Sequence, residues 1–246
     1  MTMKALILAA GLGSRLKDIT KDIPKCLVEV NGKSFLEYQL EALRKNNIKD
    51  IVIVIGYKGE KVKRFLEHSR FSDLNIKLVE NREYDSSNSS YSFWIAKDEV
   101  RSEPYIHINC DILFSPELIK RIIKDKHENI IVIDKKADLN RVTEHAVLDE
   151  NNRIINMPKL GLANEAHGKG CGIAKLSPDT VKEITRIAYR MISQGNKNEH
   201  FYGIIRNMLD KYYFYGIDSG DLLIKEVNTI NDLEELKGLI NILQTK

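Results

Sequence analysis

Residues 51–55 read Ile-Val-Ile-Val-Ile. An unbroken β-branched run of this length suits a strand covered on both faces, as in parallel sheets. Strand-like stretches at 4–10, 76–79, 105–109 and 130–133 flank it, alternating with helical stretches at 34–46, 60–68, 91–100 and 116–126. In the first helix Leu36, Leu40 and Leu43 share one face, and Ser34 with Glu37 forms a capping box. Strands alternating with helices imply right-handed βαβ units, a mainly parallel sheet and an α/β fold. Ligands of such sheets bind beyond the carboxyl ends of the strands.

After residue 134 the rhythm weakens. Residues 141–172 read as loop-rich, with short strands at 146–149 and 153–156. Ser177 and Pro178 open a helix that runs to 194 and is closed by Gly195. A helix over 200–211, a strand over 222–227 and a last amphipathic helix over 232–243 follow. No linker, repeat or low-complexity tract interrupts the chain, so 1–246 reads as a single domain with a small substrate-facing insertion in its second half.

The charge balance narrows the partners. With 38 basic and 35 acidic residues the net charge is +3, too small a surplus for nucleic acid to be the main partner. Cys26, Cys110 and Cys171 are odd in number and widely spaced, which fits a reducing cytoplasm better than a disulfide framework. The first apolar run is too short for a secretory leader, and no stretch approaches the roughly 18 apolar residues of a membrane span. A cytoplasmic protein without a membrane partner is therefore expected.

The first strand runs into Ala9-Ala10-Gly11-Leu12-Gly13-Ser14-Arg15. A dinucleotide fingerprint is excluded because its third glycine would fall on Leu16, and the Lys-Ser/Thr pair of a P-loop is missing. Glycines let backbone N–H groups approach a phosphate closely, and Arg15 adds a fork of donors. A turn with a solvated arginine is the alternative reading. Lys25, held behind Pro24, can neutralise a triphosphate near the loop.

These residues carry a resemblance. Gly11, Gly13, Ser14 and Arg15, followed by Pro24 and Lys25, match the G-x-G-[ST]-R…P-K signature of nucleotidyltransferases that join NTPs to sugar phosphates or phosphocholine. The resemblance implies a doubly wound, Rossmann-like sheet, with 1–135 the nucleotide-binding half and 136–246 the acceptor-binding half. It implies that Leu8, Ala9 and Ala10 hold base and ribose through backbone atoms. Arg15 and Lys25 become the catalytic pair on the triphosphate, and Gly11, Gly13 and Ser14 its cradle.

Residues 80–96, ENREYDSSNSSYSFWIA, resemble the pyrimidine-facing segment of bacterial CTP:phosphocholine cytidylyltransferases. This puts Asn81, Asn88 and Ser89 at the nucleotide and Tyr91 at the substrate. A simple Asn/Ser cap of the following helix is compatible with that reading. Asp111 stands at a strand end where the family keeps a Mg²⁺ carboxylate, although a lone Asp after a strand also serves as a cap. The family's second metal carboxylate falls on Asn228, in Glu226-Val227-Asn228, so an amide stands where Asp is expected. An amide oxygen still ligates Mg²⁺ but brings no charge.

The implied reaction joins CTP to a small phosphorylated or phosphonate acceptor, with Mg²⁺ as cofactor and pyrophosphate as product. Acceptor candidates are Glu144, Lys159 and Glu226. Choline recognition wants an aromatic cage and a carboxylate for the quaternary ammonium, and Glu144 can meet an ammonium. Trp94 is the only tryptophan, and Tyr202, Tyr212, Tyr213 and Tyr215 read as packing residues. A sugar-1-phosphate nucleotidyltransferase using another NTP, or a weakly catalytic nucleotide-binding regulator, stands as the alternative. The resemblance leaves room for a homodimer.

Overall fold

The computed structural model describes residues 3–139, 144–158 and 165–244. The alternating pattern folds into β1 (Lys4–Ala9), a hairpin of β2 (Glu29–Val30) and β3 (Lys33–Ser34), α1 (Phe35–Lys45), β4 (Asp50–Ile55), α2 (Gly59–Glu67), β5 (Asn75–Glu80) and α3 (Ser89–Val100). Next come β6 (Tyr105–Asn109), β7 (Ile112–Phe114), α4 (Pro116–Lys124) and β8 (Ile130–Asp134). The second half adds β9 (His145–Leu148), β10 (Ile154–Asn156), β11 (Gly168–Leu176), α5 (Pro178–Ser193), α6 (Phe201–Arg206), β12 (Tyr215–Asp218), β13 (Ile224–Glu226) and α7 (Ile230–Gln244).

Nine strands form the main sheet. β1 pairs in parallel with β4 and β6, β4 with β5, and β8 with β12. β11 runs antiparallel between β6 and β8, and its first residues also carry β9 and β10. The chain moves outward from β1 through β4 to β5, then returns to place β6 on β1's other side. The β1/β6 boundary is therefore a switch point, where a crevice opens outside the carboxyl ends of the strands. β1 meets β6 with Leu8 opposite Asn109.

Successive side chains of β1 and β4 point to opposite faces, and both faces are buried. Leu6, Leu8, Val52 and Val54 pack with Phe93, Ala96 and Ile184 of α3 and α5. Ala5, Ile7, Ile51 and Ile53 pack with Leu36, Leu40, Val62 and Leu118 of α1, α2 and α4. A third cluster joins Leu16, Val28 and Phe35 to Val227, Leu233 and Leu236, bringing α7 against the β2–β3 hairpin. The predicted capping box is present: Glu37 N donates to Ser34 Oγ at 3.2 Å, and Ser34 N donates to Glu37 Oε2 at 3.1 Å.

The short strands β2, β3 and β7 were not read from the sequence, and β11 and β12 depart from the reading as well. β11 occupies residues assigned in part to loop, because Gly168, Gly170 and Gly172 mask its pattern. A Cβ at Gly168 would lie 2.4 Å from Ile133 Cγ2, and one at Gly172 (φ +61°) 2.6 Å from Asn109 Nδ2. β12 is a half-buried edge strand with a glycine in it, too weak to read. The helix expected over 200–211 is α6, which stops at Arg206. No helix among the described residues is long and apolar enough to cross a membrane.

Candidate active site

A cleft of about 780 Å³ opens at the β1/β6 switch point. β1 delivers Leu8 and Ala10 to it, and the chain then turns through Gly13, whose left-handed φ of +66° suits glycine. A Cβ on Gly13 would lie 3.2 Å from Thr20 Cγ2 and 3.3 Å from Lys25 Cβ, whereas one on Gly11 would meet nothing within 4 Å. Gly13 is therefore required by the loop's own packing, while Gly11 leaves open space facing the cleft. Thr20 Oγ1 donates to Gly13 O at 2.9 Å and fixes the turn.

Three further elements bring charge to this loop. Pro24 is extended and hands the chain to a short 3₁₀ turn beginning at Lys25, which is only 8% exposed. Asp111 follows β6. Asn228 arrives because β13 pairs antiparallel with β7, Glu226 opposite Ile112, and Val227 N donates to Asp111 O at 2.9 Å. Lys25 Nζ donates to Asp111 Oδ2 at 2.6 Å and to Asn228 Oδ1 at 2.9 Å. Arg15 Nη2 donates to the same Asn228 oxygen at 2.6 Å. Asn228 Nδ2 in turn donates to Glu226 Oε1 at 2.7 Å, and Glu226 Oε2 lies 2.6 Å from Lys169 Nζ.

The two carboxylates titrate apart. Burial pushes the Asp111 carboxyl above its usual range; Lys25 opposes this and the charge of Glu226 adds to it. Burial acts on Glu226 in the same sense, but Lys169, Asn228 and Lys25 together hold it below the usual range. Asp111 Oδ1 is buried without a hydrogen-bond partner among the described residues. Among those residues no group of three or more His, Cys, Asp or Glu gathers as a metal site.

The remaining expected residues divide. Asn81, Asn88 and Ser89 line the cleft. Asn81 Nδ2 donates to Ser87 Oγ and Ser92 Oγ, each at 3.1 Å, and its Oδ1 accepts from Glu83 N at 2.9 Å, so its amide shapes the loop. Asn88 caps α3 through Ser89 N at 2.8 Å, and Ser89 Oγ accepts from Phe201 N at 2.8 Å. Tyr91 is not in the lining: its hydroxyl donates to Glu83 at 2.5 Å, turned into the cluster that Lys197 completes. Ala9 is likewise absent from the lining, because it packs into the opposite face of the sheet. Glu144 and Glu226 do line the cleft, while Lys159 lies outside the described residues. Trp94 meets Tyr189 at a tilt, 5.7 Å between ring centroids, and is absent from the cleft lining.

Sequence reasoning missed Lys169 and the place of Tyr202 in the cleft. Tyr202 is 5% exposed and packs in the core as expected, and it also contributes to the cleft lining. Lys169 stands between two glycines, a pattern more readily read as loop than as strand.

A glycine turn after the first strand of a doubly wound sheet, with an arginine, a lysine and an aspartate meeting beside it, defines a nucleotide-handling α/β protein of the phosphate-transferring kind. Residues 5–157 match the MobA-like NTP transferase domain. The chain is 31% identical over 231 residues to the CTP:phosphoglutamine cytidylyltransferase of Campylobacter jejuni, covering 85% of this chain and 89% of that one. The choline-phosphate cytidylyltransferase of Streptococcus pneumoniae is 43% identical over 98 residues, 40% of this chain and 41% of that one. This protein belongs to the MobA-like NTP transferase family, and relatives at this level are nucleotidyltransferases. The fold matches the solved CTP:phosphocholine cytidylyltransferase of S. pneumoniae with a TM-score of 0.81 at 22% identity, over 98% of this chain and 100% of that one.

Proposed function

We propose that this protein is a cytidylyltransferase. A phosphate oxygen of a small phosphorylated acceptor attacks the α-phosphorus of CTP, the α–β bridging bond breaks, and pyrophosphate leaves. The observation that carries this is the meeting of Arg15 and Lys25 on one oxygen at the mouth of the glycine turn. Two cations held this way oppose a triphosphate and the charge that grows on its leaving group. The names of the relatives support CTP as the donor.

No protein nucleophile is required, because a phosphomonoester already carries one. Positioning and neutralisation supply the rate. Burial raises the thiols of Cys26 and Cys171 to about 12, so neither is a thiolate at neutral pH.

The residues present fit a single Mg²⁺. Asp111 Oδ2 and Asn228 Oδ1 share the ammonium of Lys25, so both face one cation position, and Asp111 Oδ1 is an orphaned hard oxygen beside it. Asp111 and Asn228 would hold the ion, which when bound neutralises phosphate charge. Lys25 then shifts from Asp111 to the nucleotide.

The test is pyrophosphate release and product mass spectrometry with each of the four NTPs, Mg²⁺ and a panel of phosphomonoesters. CTP should be preferred by about tenfold or more. Equal or better turnover with UTP, GTP or dTTP and a sugar 1-phosphate would move the protein to the sugar branch.

A further inference from the structure

The cleft extends beyond Asp111 and Asn228 to a wall formed by Glu144, Gly170, Gly172, Tyr202 and Glu226. The order of charge in this wall is informative. Glu144 is paired with Arg206 at 3.2 Å and Glu226 with Lys169 at 2.6 Å. The carboxylates line the cleft, whereas Arg206 and Lys169 do not. In each pair the carboxylate belongs to the lining and the cation does not, so the carboxylate is the member a ligand in the cleft meets.

A second observation points to a ligand at the same place. The Tyr202 hydroxyl is buried, its one polar neighbour among the described residues is the Gly172 backbone, and the side chain lines the cleft. Burial raises this phenol well above its usual value, the carboxylates of Glu144 and Glu226 raise it further, and a backbone hydrogen bond from Gly172 opposes them. It therefore stays protonated, with a lone pair available as an acceptor. A buried hydroxyl with a lone pair still open gains free energy by accepting from a bound donor.

Among the described residues, the rings of Tyr84 and Phe201 that line the cleft are engaged by other rings rather than arranged as a cage. Phe201 stacks on His107 with centroids 4.0 Å apart, Tyr84 meets Tyr57 edge-on near the loop, and Trp94 is absent from the lining.

We propose that Glu144, Glu226 and the Tyr202 hydroxyl form an ammonium subsite that selects a phosphomonoester acceptor carrying a primary amine. This rests on the cytidylyltransferase reading above. A primary ammonium offers three N–H donors, which two carboxylates and one hydroxyl satisfy. A trimethylated ammonium offers none and would need a cage of aromatic faces. The acceptor's own phosphate balances the added positive charge at the Arg15/Lys25 end.

The experiment is calorimetric binding of three matched probes, 2-aminoethyl phosphate, its trimethylammonium analogue and 2-hydroxyethyl phosphate. The protein is first saturated with Mg²⁺ and a CTP analogue whose α–β bridge is methylene, which prevents turnover. The amine should bind at least about tenfold more tightly than either other probe. Tyr202→Phe and Glu144→Gln should each cut that ratio by about threefold or more. The ratio is read on one protein sample, so a lower folded fraction does not alter it. Equal binding of the three probes, a preference for the trimethyl or hydroxyl probe, a ratio unmoved in both variants, or no probe binding with the analogue bound would each overturn the subsite. Failure of the analogue itself to bind would instead overturn the cytidylyltransferase reading and the subsite with it.

Discussion

Lys25 Nζ stands 2.6 Å from Asp111 Oδ2, and the two side chains are 10% and 16% exposed. The lysine proposed to meet the nucleotide is thus paired with the carboxylate proposed to hold the metal. The pair neutralises two largely buried charges, and under the proposed function it parts when ligands take over both partners. Lys25→Met should lower kcat/KM by about 10³. It should also cost about 3 kcal/mol of stability, because Asp111 is left unpaired. Adding Asp111→Asn should restore stability, read by urea unfolding, but not turnover. If the double variant unfolds as readily as the single one, the pair is not the stabilising element.

Asn228 should be replaceable only at a cost shared with Glu226. Its Nδ2 donates to Glu226 Oε1 at 2.7 Å, so an Asp there sets two carboxylate oxygens against each other. Asn228→Asp should tighten Mg²⁺ by about tenfold through the added charge, measured by calorimetry without nucleotide. It should also raise the Glu226 pKa, and Asn228→Asp with Glu226→Gln should relieve that repulsion. An unchanged Mg²⁺ midpoint would remove position 228 from the metal site.

The two glycines of the loop should separate binding from stability. Gly13→Ala places a Cβ at φ +66° and 3.3 Å from Lys25 Cβ, and should cost about 1–2 kcal/mol of stability. Gly11→Ala meets nothing within 4 Å, so stability should change by less than about 0.5 kcal/mol while CTP binding weakens by about tenfold. The check is CTP titration beside thermal unfolding of both variants. Unweakened CTP binding in Gly11→Ala would show that the open space is not the phosphate path.

His107 should make the fold sensitive to mild acid. It is fully buried against Phe201, and burial lowers its pKa from 6.5 to about 4, with the Asn109 hydrogen bond opposing. The folded form refuses a proton that the unfolded chain accepts, so this contribution is complete above pH 6.5 and is lost as pH falls toward 4. The loss should be about 2 kcal/mol at pH 5 and about 3 kcal/mol near pH 4. Urea unfolding at pH 7 and pH 5 checks this. His107→Gln should flatten that part of the profile.

The half of the site that depends on local order could be read from sequence. The glycine turn, Lys25 behind Pro24, and Asp111 after an apolar strand each depend on neighbours within a few residues. The β1, β4 and β6 runs were legible for the same reason. Asn228 was visible as a motif position, but its neighbours were not, because they depend on β13 pairing with β7 across more than a hundred residues. Lys169 stayed hidden in a glycine-broken strand whose glycines answer to Ile133 and Asn109, contacts no local pattern reports. Tyr202 was legible as a packing aromatic, and only the folded chain shows that it also lines the cleft. Asn81 was legible as a cleft residue, yet its amide is engaged by Ser87 and Ser92, which nothing in the spacing reveals.

The most direct measurement is a structure of the protein with CTP and Mg²⁺. The triphosphate should lie against the backbone amides of residues 11–15, within hydrogen-bond distance of the Arg15 guanidinium and the Lys25 ammonium, with Lys25 withdrawn from Asp111. A triphosphate bound elsewhere, or bound while Arg15 and Lys25 stay on Asn228 and Asp111, would contradict the assignment of this site.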